Sequence, residues 1–414
     1  MNHPRAVTSI RTYALAAATL WAAWLAVAGA QVPTGDLPFG ERASFRLDRA
    51  TLRARSASAA LLDKLDATAF RYFRMLAREF AARTCFEFRD LRWRLPSVAV
   101  HGDAHLEQFV ITNHSYGLED FDAAGFGPSV VDLVRYAASL RIACRDAPWA
   151  CNGDEAVELY LEAYHEALDH RVDRVTPTIV ARLRSDVVEH PYAWLERAVL
   201  QIRPISADGD ATFRKGWARF VQLMRDTRPD RPESFYAIVR VGSVEIGVGS
   251  GLEPKTLVRI AGATSAPEDD LILEARISAT PTGYECVAQA TSGGSLQVLM
   301  FTALLGPRLP DVFGFLPREG QREAPEYWVT SWDPGYREVA ASEVRTQAEL
   351  NELAVDAARQ LAGHFWTTFP EPLRGQQRFA QLRAFEMTHV RARDLSRILA
   401  EETVREWQQF REQK

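Results

Sequence analysis

The stretch HGDAHLEQFVITNHSYGLEDFDAAGFGPSVVDL, residues 101–133, contains three histidines, four aspartates and two glutamates. Three of them occupy alternate positions at its start: His101, Asp103 and His105. Side chains at alternate positions of an extended strand lie on the same face. If this run is extended, the three side chains converge on one point, and two kinds of site suit such a cluster.

The first kind is a metal site, because neutral imidazole and carboxylate groups are ligands for zinc and similar ions. The second is a phosphoryl-transfer site, which needs one carboxylate to orient the attacking hydroxyl and further oxygen ligands to hold Mg²⁺. In the second interpretation Asp103 orients the hydroxyl, while His101 and His105 shape its loop by hydrogen bonding. The candidate metal ligands are then three later side chains: Asp120, Gln108 and Asp122.

The spacing favours the second interpretation. The pattern H-G-D-x-H, an amide three residues later, a β-hairpin and then D-F-D resembles the catalytic and magnesium loops of aminoglycoside and choline kinases. The following segment GFGPSVVDLVRYAASL is similar to bacterial domain-of-unknown-function family 2252, and a more diffuse similarity extends over residues 62–400. This resemblance implies a kinase-like phosphotransferase that uses Mg²⁺ and either ATP or another phosphoryl donor, with a small-molecule acceptor.

The chain departs from this family pattern at the residues expected to bind the donor. Gln108 stands where the family has asparagine, and Arg276 stands where it has a phosphate-binding lysine. A glycine-rich loop can be supplied by Gly247, Gly249 and Gly251, although such glycines are also common at hairpin turns. Two alternatives to an active phosphotransferase therefore stay open: a pseudokinase-like binding module, and a metal-dependent hydrolase suggested by the H-x-D-x-H pattern.

The rest of the chain indicates an α+β fold. Apolar residues recur at helical spacing over 61–80, 130–144 and 153–171, and again from 346 onward. β-Branched runs separated by turn residues indicate a small antiparallel sheet at about 236–290. With the resemblance, this layout predicts a two-lobed protein-kinase-like fold in which a mainly helical lobe contains the catalytic loop. The sheet follows that loop, so the order is permuted relative to ordinary kinases.

We expect five segments along the chain: a signal peptide (1–30), an N-terminal lead (31–60), a helical part with the catalytic and metal loops (61–235), a β-rich part resembling a nucleotide-binding lobe (236–345) and C-terminal helices (346–414). Near the catalytic loop that the resemblance implies, PSVAV, QFVITN and LEDF are predicted strands, with a turn near Tyr116-Gly117. Asp132 is expected to cap the next helix or anchor the loop, and His364 to be a core histidine.

The N-terminus predicts export. Arg5 and Arg11 precede an uncharged apolar run that ends in the small residues Ala28 and Ala30, which is typical of a secretory signal peptide. The run is short for a membrane span, which needs about 20 apolar residues. We expect cleavage near Ala30, a periplasmic or secreted protein, and no later membrane span. A retained N-terminal anchor is the alternative.

Composition narrows the class of protein further. The 414 residues are 47 % hydrophobic and 25 % charged, with a net charge of -5, which is typical of a globular protein. The sequence has no long run of basic residues, so it does not indicate nucleic-acid binding. The four cysteines fit an oxidising compartment. Cys144 and Cys151 flank the short segment RDAPWA, where a disulfide and two buried thiols are equally consistent with the sequence.

Overall fold

The computed structural model describes ten ranges of the chain, and every structural statement below concerns these ranges: 42–54, 59–185, 191–205, 207–244, 255–277, 286–288, 294–316, 327–333, 335–366 and 372–413. The predicted signal peptide and Gly247, Gly249 and Gly251 lie outside the described residues.

Helices form most of the described chain, as the apolar periodicity predicts. The helices are α1 (Arg49–Ala54), α2 (Ala59–Ala67), α3 (Ala69–Arg74), α4 (Ala77–Glu87), α5 (Val130–Asp146), α6 (Gly153–Asp169), α7 (Thr178–Ser185), α8 (Pro191–Leu200), α9 (Ala207–Thr227), α10 (Gly294–Leu305), α11 (Gln347–Gly363) and α12 (Leu373–Glu412).

The strands form three antiparallel sheets, so the predicted α+β class is confirmed. The strands are β1 (Val98–Val100), β2 (Phe109–Ile111), β3 (Tyr116–Leu118), β4 (Gly125–Gly127), β5 (Ile238–Val244), β6 (Lys255–Ile260), β7 (Leu271–Ile277), β8 (Phe313–Leu316), β9 (Tyr327–Ser331) and β10 (Arg337–Glu338). β1 pairs with β4, and β10, β2 and β3 form a second sheet. The third sheet has the order β5-β6-β7-β9-β8.

The helical part packs around α5, which is buried along most of its length. Tyr136 of α5 stacks on Tyr160 of α6 with ring centroids 4.8 Å apart, and Tyr164 of α6 packs against Phe385 of α12. The first contact joins consecutive helices, and the second joins α6 to a helix more than 200 residues later in the chain. Each helix has large apolar side chains on one face, and removing these faces from water is favourable. The helices therefore pack with their apolar faces together, as the periodic pattern predicts.

The five-stranded sheet has its own core, formed with α9. Phe220 and Met224 of α9 lie against Gly314 of β8, and Trp217 donates a hydrogen bond to the carbonyl of Tyr236. The sequence predicts β5, β6 and β7 correctly. It also places YECVAQA, residues 284–290, in this sheet, but the described part of that segment pairs with Phe126 of β4 instead.

The turn predicted near Tyr116-Gly117 lies a few residues earlier in the chain, because both of these residues belong to β3. The hairpin turns earlier, where the Thr112 hydroxyl accepts hydrogen bonds from the amides of His114 and Ser115 at 3.2 and 2.9 Å. The predicted strand LEDF is also wrong beyond Leu118. The chain leaves the strand there, and a short 3₁₀ helix begins at Phe121.

All four cysteines are in disulfides. Cys144 pairs with Cys151, which is one of the two alternatives the sequence left open, and Cys85 of α4 pairs with Cys286. The Cys85–Cys286 disulfide joins the helical part to segment 286–288, which pairs with β4. Among the described helices, none has the length and apolar character that crossing a membrane would require.

Candidate functional site

The loop that follows β1 turns sharply at Gly102. This residue has a φ of 78°, and a Cβ placed on it would lie 2.1 Å from the carbonyl oxygen of Ala123. The position therefore requires glycine for two independent reasons. Because the chain turns here, residues 101–105 do not form an extended strand, so His101, Asp103 and His105 do not line one strand face. His105 Nε2 nevertheless lies 4.0 Å from Asp103 Oδ2. The described residues contain no group of three or more His, Cys, Asp or Glu arranged to hold a metal ion.

Asp132 of α5 anchors this loop, which is one of the two roles expected for it. Its carboxylate accepts hydrogen bonds from the amides of His101 at 2.7 Å and Gly102 at 2.9 Å. The side chain is buried, and burial raises its pKa above the ordinary value although both amides act in the opposite direction. The interaction fixes the loop to the start of the central helix.

The two histidines orient the loop from opposite ends. His101 Nδ1 accepts a 3.4 Å hydrogen bond from the Asp103 amide, and its Nε2 donates to the carbonyl of Glu119 at 2.9 Å. His105 is buried with its ring edge-on to Phe70 and Phe73. Burial, followed by the nearby arginine charges, lowers the pKa of His105 well below its ordinary value, so this imidazole is neutral.

Asp103 is held by a buried arginine. Arg135 Nε donates to Asp103 Oδ1 at 2.5 Å, and the Gln108 side-chain amide donates to Oδ2 at 3.4 Å. The guanidinium of Arg135 also lies 4.3 Å from the ring centroid of Phe73. The Asp103 side chain retains 18 % exposure, so an oriented carboxylate faces outward from a buried support.

Arg135 was not identified as a site residue from the sequence. The sequence feature that could have identified Arg135 is its position three residues after Asp132, because residues three apart are neighbours on one face of a helix. Both residues are buried, and one contacts the loop backbone while the other contacts Asp103.

Gln108 lies beside Asp103, and its backbone contacts residues 119–122, which we call the acidic loop. Its carbonyl accepts a 3.0 Å hydrogen bond from the amide of Glu119, the residue before Asp120. The Gln108 side chain points toward Asp103 and is buried. The structure therefore brings Gln108 and Asp103 together directly, and links both to Asp120 through the backbone.

Asp120 and Asp122 face Arg276 of β7. Asp120 Oδ1 lies 2.9 Å from Arg276 Nη1, and Asp122 Oδ1 lies 2.8 Å from Nη2. One guanidinium fork thus bridges both carboxylates, which links the acidic loop to the five-stranded sheet. Asp120 has a φ of 68°, a left-handed conformation that is uncommon outside glycine, asparagine and aspartate. The two carboxylates remain 42 % and 52 % exposed.

The pKa values of Asp120 and Asp122 are shifted in opposite directions, although both carboxyls contact Arg276. Loss of part of the water around the Asp120 carboxyl acts to raise its pKa, but Arg276 and then Lys255 outweigh this effect and hold that pKa below the ordinary value. The same loss of water raises the pKa of Asp122; the Arg276 charge acts against this rise, and the Asp120 charge adds to it. Asp120 is therefore the residue of the pair that stays ionised most readily.

Glu119 is the third acid of this loop. Burial, followed by the charges of Asp333 and Asp120, raises its pKa to about 7. A carboxyl with such a pKa changes its charge near neutral pH, next to the pair that Arg276 bridges.

A second cation lies beside Arg276 on the same sheet. Lys255 Nζ is 3.0 Å from Glu274 Oε1, and the Trp332 indole donates to Glu274 Oε2 at 3.1 Å. Glu274 and Arg276 are two residues apart on β7 and so share one face. Sequence reasoning missed Lys255, although a lysine at the start of a strand is conspicuous in a chain whose cations are mostly arginine.

The glycine at the end of β4, in the motif GFGP, is required by close packing. A Cβ on Gly127 would lie 2.7 Å from the carbonyl oxygen of Cys286, and the Phe126 amide donates to the carbonyl of Ala288 at 2.8 Å. The absence of a side chain at Gly127 lets the segment 286–288 cross β4 closely. His364 is likewise structural: it is buried, and its Nδ1 donates to the carbonyl of Leu361.

Comparison with known proteins supports part of the resemblance. Residues 55–190 match the model of a family described as uncharacterized proteins conserved in bacteria, DUF2252. The matched region is about a third of the chain and includes the loop at Asp103, the acidic loop and α5. No curated protein and no solved structure matches the chain.

Proposed function

We propose that the chain is a kinase-like phosphotransferase. In this account Asp103 orients the acceptor hydroxyl, Asp120 and Asp122 are the metal-binding carboxylates, and Arg276 contacts the phosphates of the donor. The observation that supports it most directly is the pairing of the two carboxylates with Arg276 at 2.9 and 2.8 Å, because two carboxylates that could hold a metal ion then lie beside a guanidinium that could bind phosphate.

The pairing of Asp103 with Arg135 fits an orienting role. Phosphoryl transfer proceeds through a loose transition state, so catalysis depends mainly on positioning and on charge stabilisation. A carboxylate held at 2.5 Å by a buried guanidinium has a defined direction. Asp103 can then accept a hydrogen bond from an acceptor hydroxyl while Arg135 and Gln108 keep it in place.

The residues of the acidic loop fit a magnesium ion. Mg²⁺ prefers carboxylate and water oxygens and commonly uses one or two carboxylates together with substrate phosphates. Asp120 and Asp122 would hold it, and the ion would supply charge neutralisation for the donor phosphates. Arg276 would exchange one of its carboxylate contacts for a phosphate oxygen. Lys255 and Arg276 both contact Glu274, at 3.0 and 3.9 Å, so Lys255 could share that role.

A second candidate is a module that binds an anionic ligand without transferring phosphate. The observation that favours it is that arginine guanidinium groups already neutralise Asp103, Asp120 and Asp122. Such a site would bind a phosphorylated compound through Arg276 and Lys255 and leave it unchanged.

The two candidates differ in turnover. Purified protein would be incubated with Mg²⁺, ATP and pools of small hydroxylated acceptors, and ADP formation would be followed. The first candidate expects acceptor-dependent ADP formation that falls at least a hundredfold in Asp103→Asn, while nucleotide affinity changes little. Exposed Asp230→Asn, far from this loop in sequence, is the matched control. Equal turnover in Asp103→Asn and wild type would refute the role of Asp103, and ligand binding without any turnover would favour the second candidate.

A further inference from the structure

One face of the long helix α12 exposes a row of large apolar side chains. Phe379, Met387, Val390 and Ile398 are 60 %, 43 %, 48 % and 52 % exposed. Monomeric proteins seldom expose large apolar side chains in a continuous patch unless the patch binds something. The opposite face of α12, which includes Ala392 and Leu399, is buried against the helical part.

This exposed face is complementary to itself. When the sequence of α12 is aligned antiparallel to a second copy about a point between Thr388 and His389, apolar residues meet apolar residues and acids meet arginines. The pairs are Phe379 with Ile398, Met387 with Val390, Arg383 with Asp394, and Glu386 with Arg391. All eight side chains are exposed.

The positions agree with helix geometry as well as with chemistry. Residues three, four, seven and eight apart lie on the same side of a helix. At 100° per residue, all eight side chains fall within about 70° of a single direction. The contact from Phe379 to Ile398 would be about 28 Å long at 1.5 Å per residue.

We propose that this face of α12 binds a second copy of the chain, and that the two helices pack antiparallel across a two-fold axis. In such an interface residue i of one copy contacts residue j of the other and j contacts i, so each of the four pairs occurs twice. The axis passes between Met387 and Val390, which form the apolar centre. The charged pairs flank them, as in interfaces with an apolar core and a polar rim.

Charge complementarity is the reason for choosing a second copy as the partner. None of the paired positions brings two like charges together, whereas an arbitrary partner would have to supply the matching acids and bases. Arg391 already contacts Asp90, and Asp394 contacts Arg393, but these are exposed pairs of small energy that an additional partner can share. A shallow groove of about 460 Å³ beside the row, lined in part by Glu87 and Leu395, gives the partner side chains room.

Sedimentation velocity of the full chain tests the proposal through a charge swap. Wild type is expected to sediment as a dimer. Arg383→Asp or Asp394→Arg alone sets like charges opposite one another twice, and each should weaken the dimer about tenfold. The double variant Arg383→Asp/Asp394→Arg should restore it. The two positions are eleven residues, about 16 Å, apart on one helix, so only contact between copies can produce this rescue.

Two further variants complete the experiment. Met387→Glu should give a monomer, and Arg411→Glu, a charge reversal on the same helix outside this face, should leave the dimer intact. Circular dichroism melts check that each variant is folded, which is expected because the substituted side chains are exposed. A wild type that is monomeric up to about 100 µM, a dimeric Met387→Glu, or a double variant no better than the single ones would each overturn the proposal.

Discussion

At the scale of single residues, Gly102 has the most stringent requirement in the site. Its φ of 78° strains any other residue, and a Cβ would overlap the carbonyl of Ala123. Gly102→Ala should therefore lower the free energy of unfolding by about 2–4 kcal/mol, as left-handed strain and a forced backbone shift add. Urea denaturation measures the effect.

The control is Gly363→Ala at the end of α11, where a Cβ meets nothing within 4 Å. That change should leave stability unaltered or raise it by about 0.5–1 kcal/mol. Equal effects at the two glycines would contradict the account of the loop.

Glu119 gives the site a pH dependence. Burial, then Asp333 and Asp120, raise its pKa from an ordinary value of 4.5 to about 7. Because the folded-state pKa is higher than the unfolded one, its contribution to stability is complete below about pH 4.5 and is lost as pH rises through about 7. Glu119→Gln should flatten the stability curve across this window, measured by urea midpoints at several pH values. Parallel curves for the variant and wild type would show that Glu119 titrates normally.

At the scale of elements, α5 organises the loop that contains Asp103 through Asp132 and Arg135. Arg135 is buried, and its removal would leave the partly buried Asp103 carboxylate without its partner. Arg135→Met should lower the free energy of unfolding by about 3–5 kcal/mol, whereas exposed Arg145→Met on the same helix should change it by less than about 0.5 kcal/mol. The double variant Arg135→Met/Asp103→Asn should recover part of the loss, and additive losses would exclude a direct pair.

Long helices and strands are predicted from the sequence more accurately than short ones. Helices such as α5 and α6 repeat the 3.6-residue period several times, so their existence follows from the pattern. Three-residue strands such as β2 and β3 contain too few residues to define a period, and the hairpin turn was misplaced because side-chain hydrogen bonds of Thr112 set it. β8 is only four residues long and pairs with β9, and β9 depends on β7, a partner about 50 residues earlier in the chain, so neither strand was predicted individually.

The candidate site was predicted unevenly for the same physical reason. Spacing within 101–122 identified Asp103 and Asp120, because both belong to one local motif. Arg135 and Lys255 come from other elements and reach the site only through tertiary packing. The strand face expected to carry His101, Asp103 and His105 does not form, because the left-handed conformation of Gly102 changes the direction of the loop.

At the scale of the whole molecule, the two disulfides constrain very different lengths of chain. Cys85 and Cys286 are separated by 201 residues, and Cys144 and Cys151 by 7. By loop-closure entropy, removing the first pair should cost about 2–3 kcal/mol more than removing the second. Double alanine variants of each pair, compared by urea denaturation, test this, and a larger loss at Cys144/Cys151 would contradict it. Complete pairing also fits the predicted export, which stays a prediction.

The most direct test of the central claim asks whether the acidic loop and the sheet bind one ligand together. Calorimetric titration with ATP, with and without Mg²⁺, would compare wild type with Asp120→Asn, which tolerates the same left-handed backbone, and with the control Asp230→Asn. The account predicts magnesium-dependent binding in wild type and the control, and at least a tenfold loss in Asp120→Asn. Binding that is unchanged in Asp120→Asn, or no heat from wild type up to about 1 mM ATP, would contradict it.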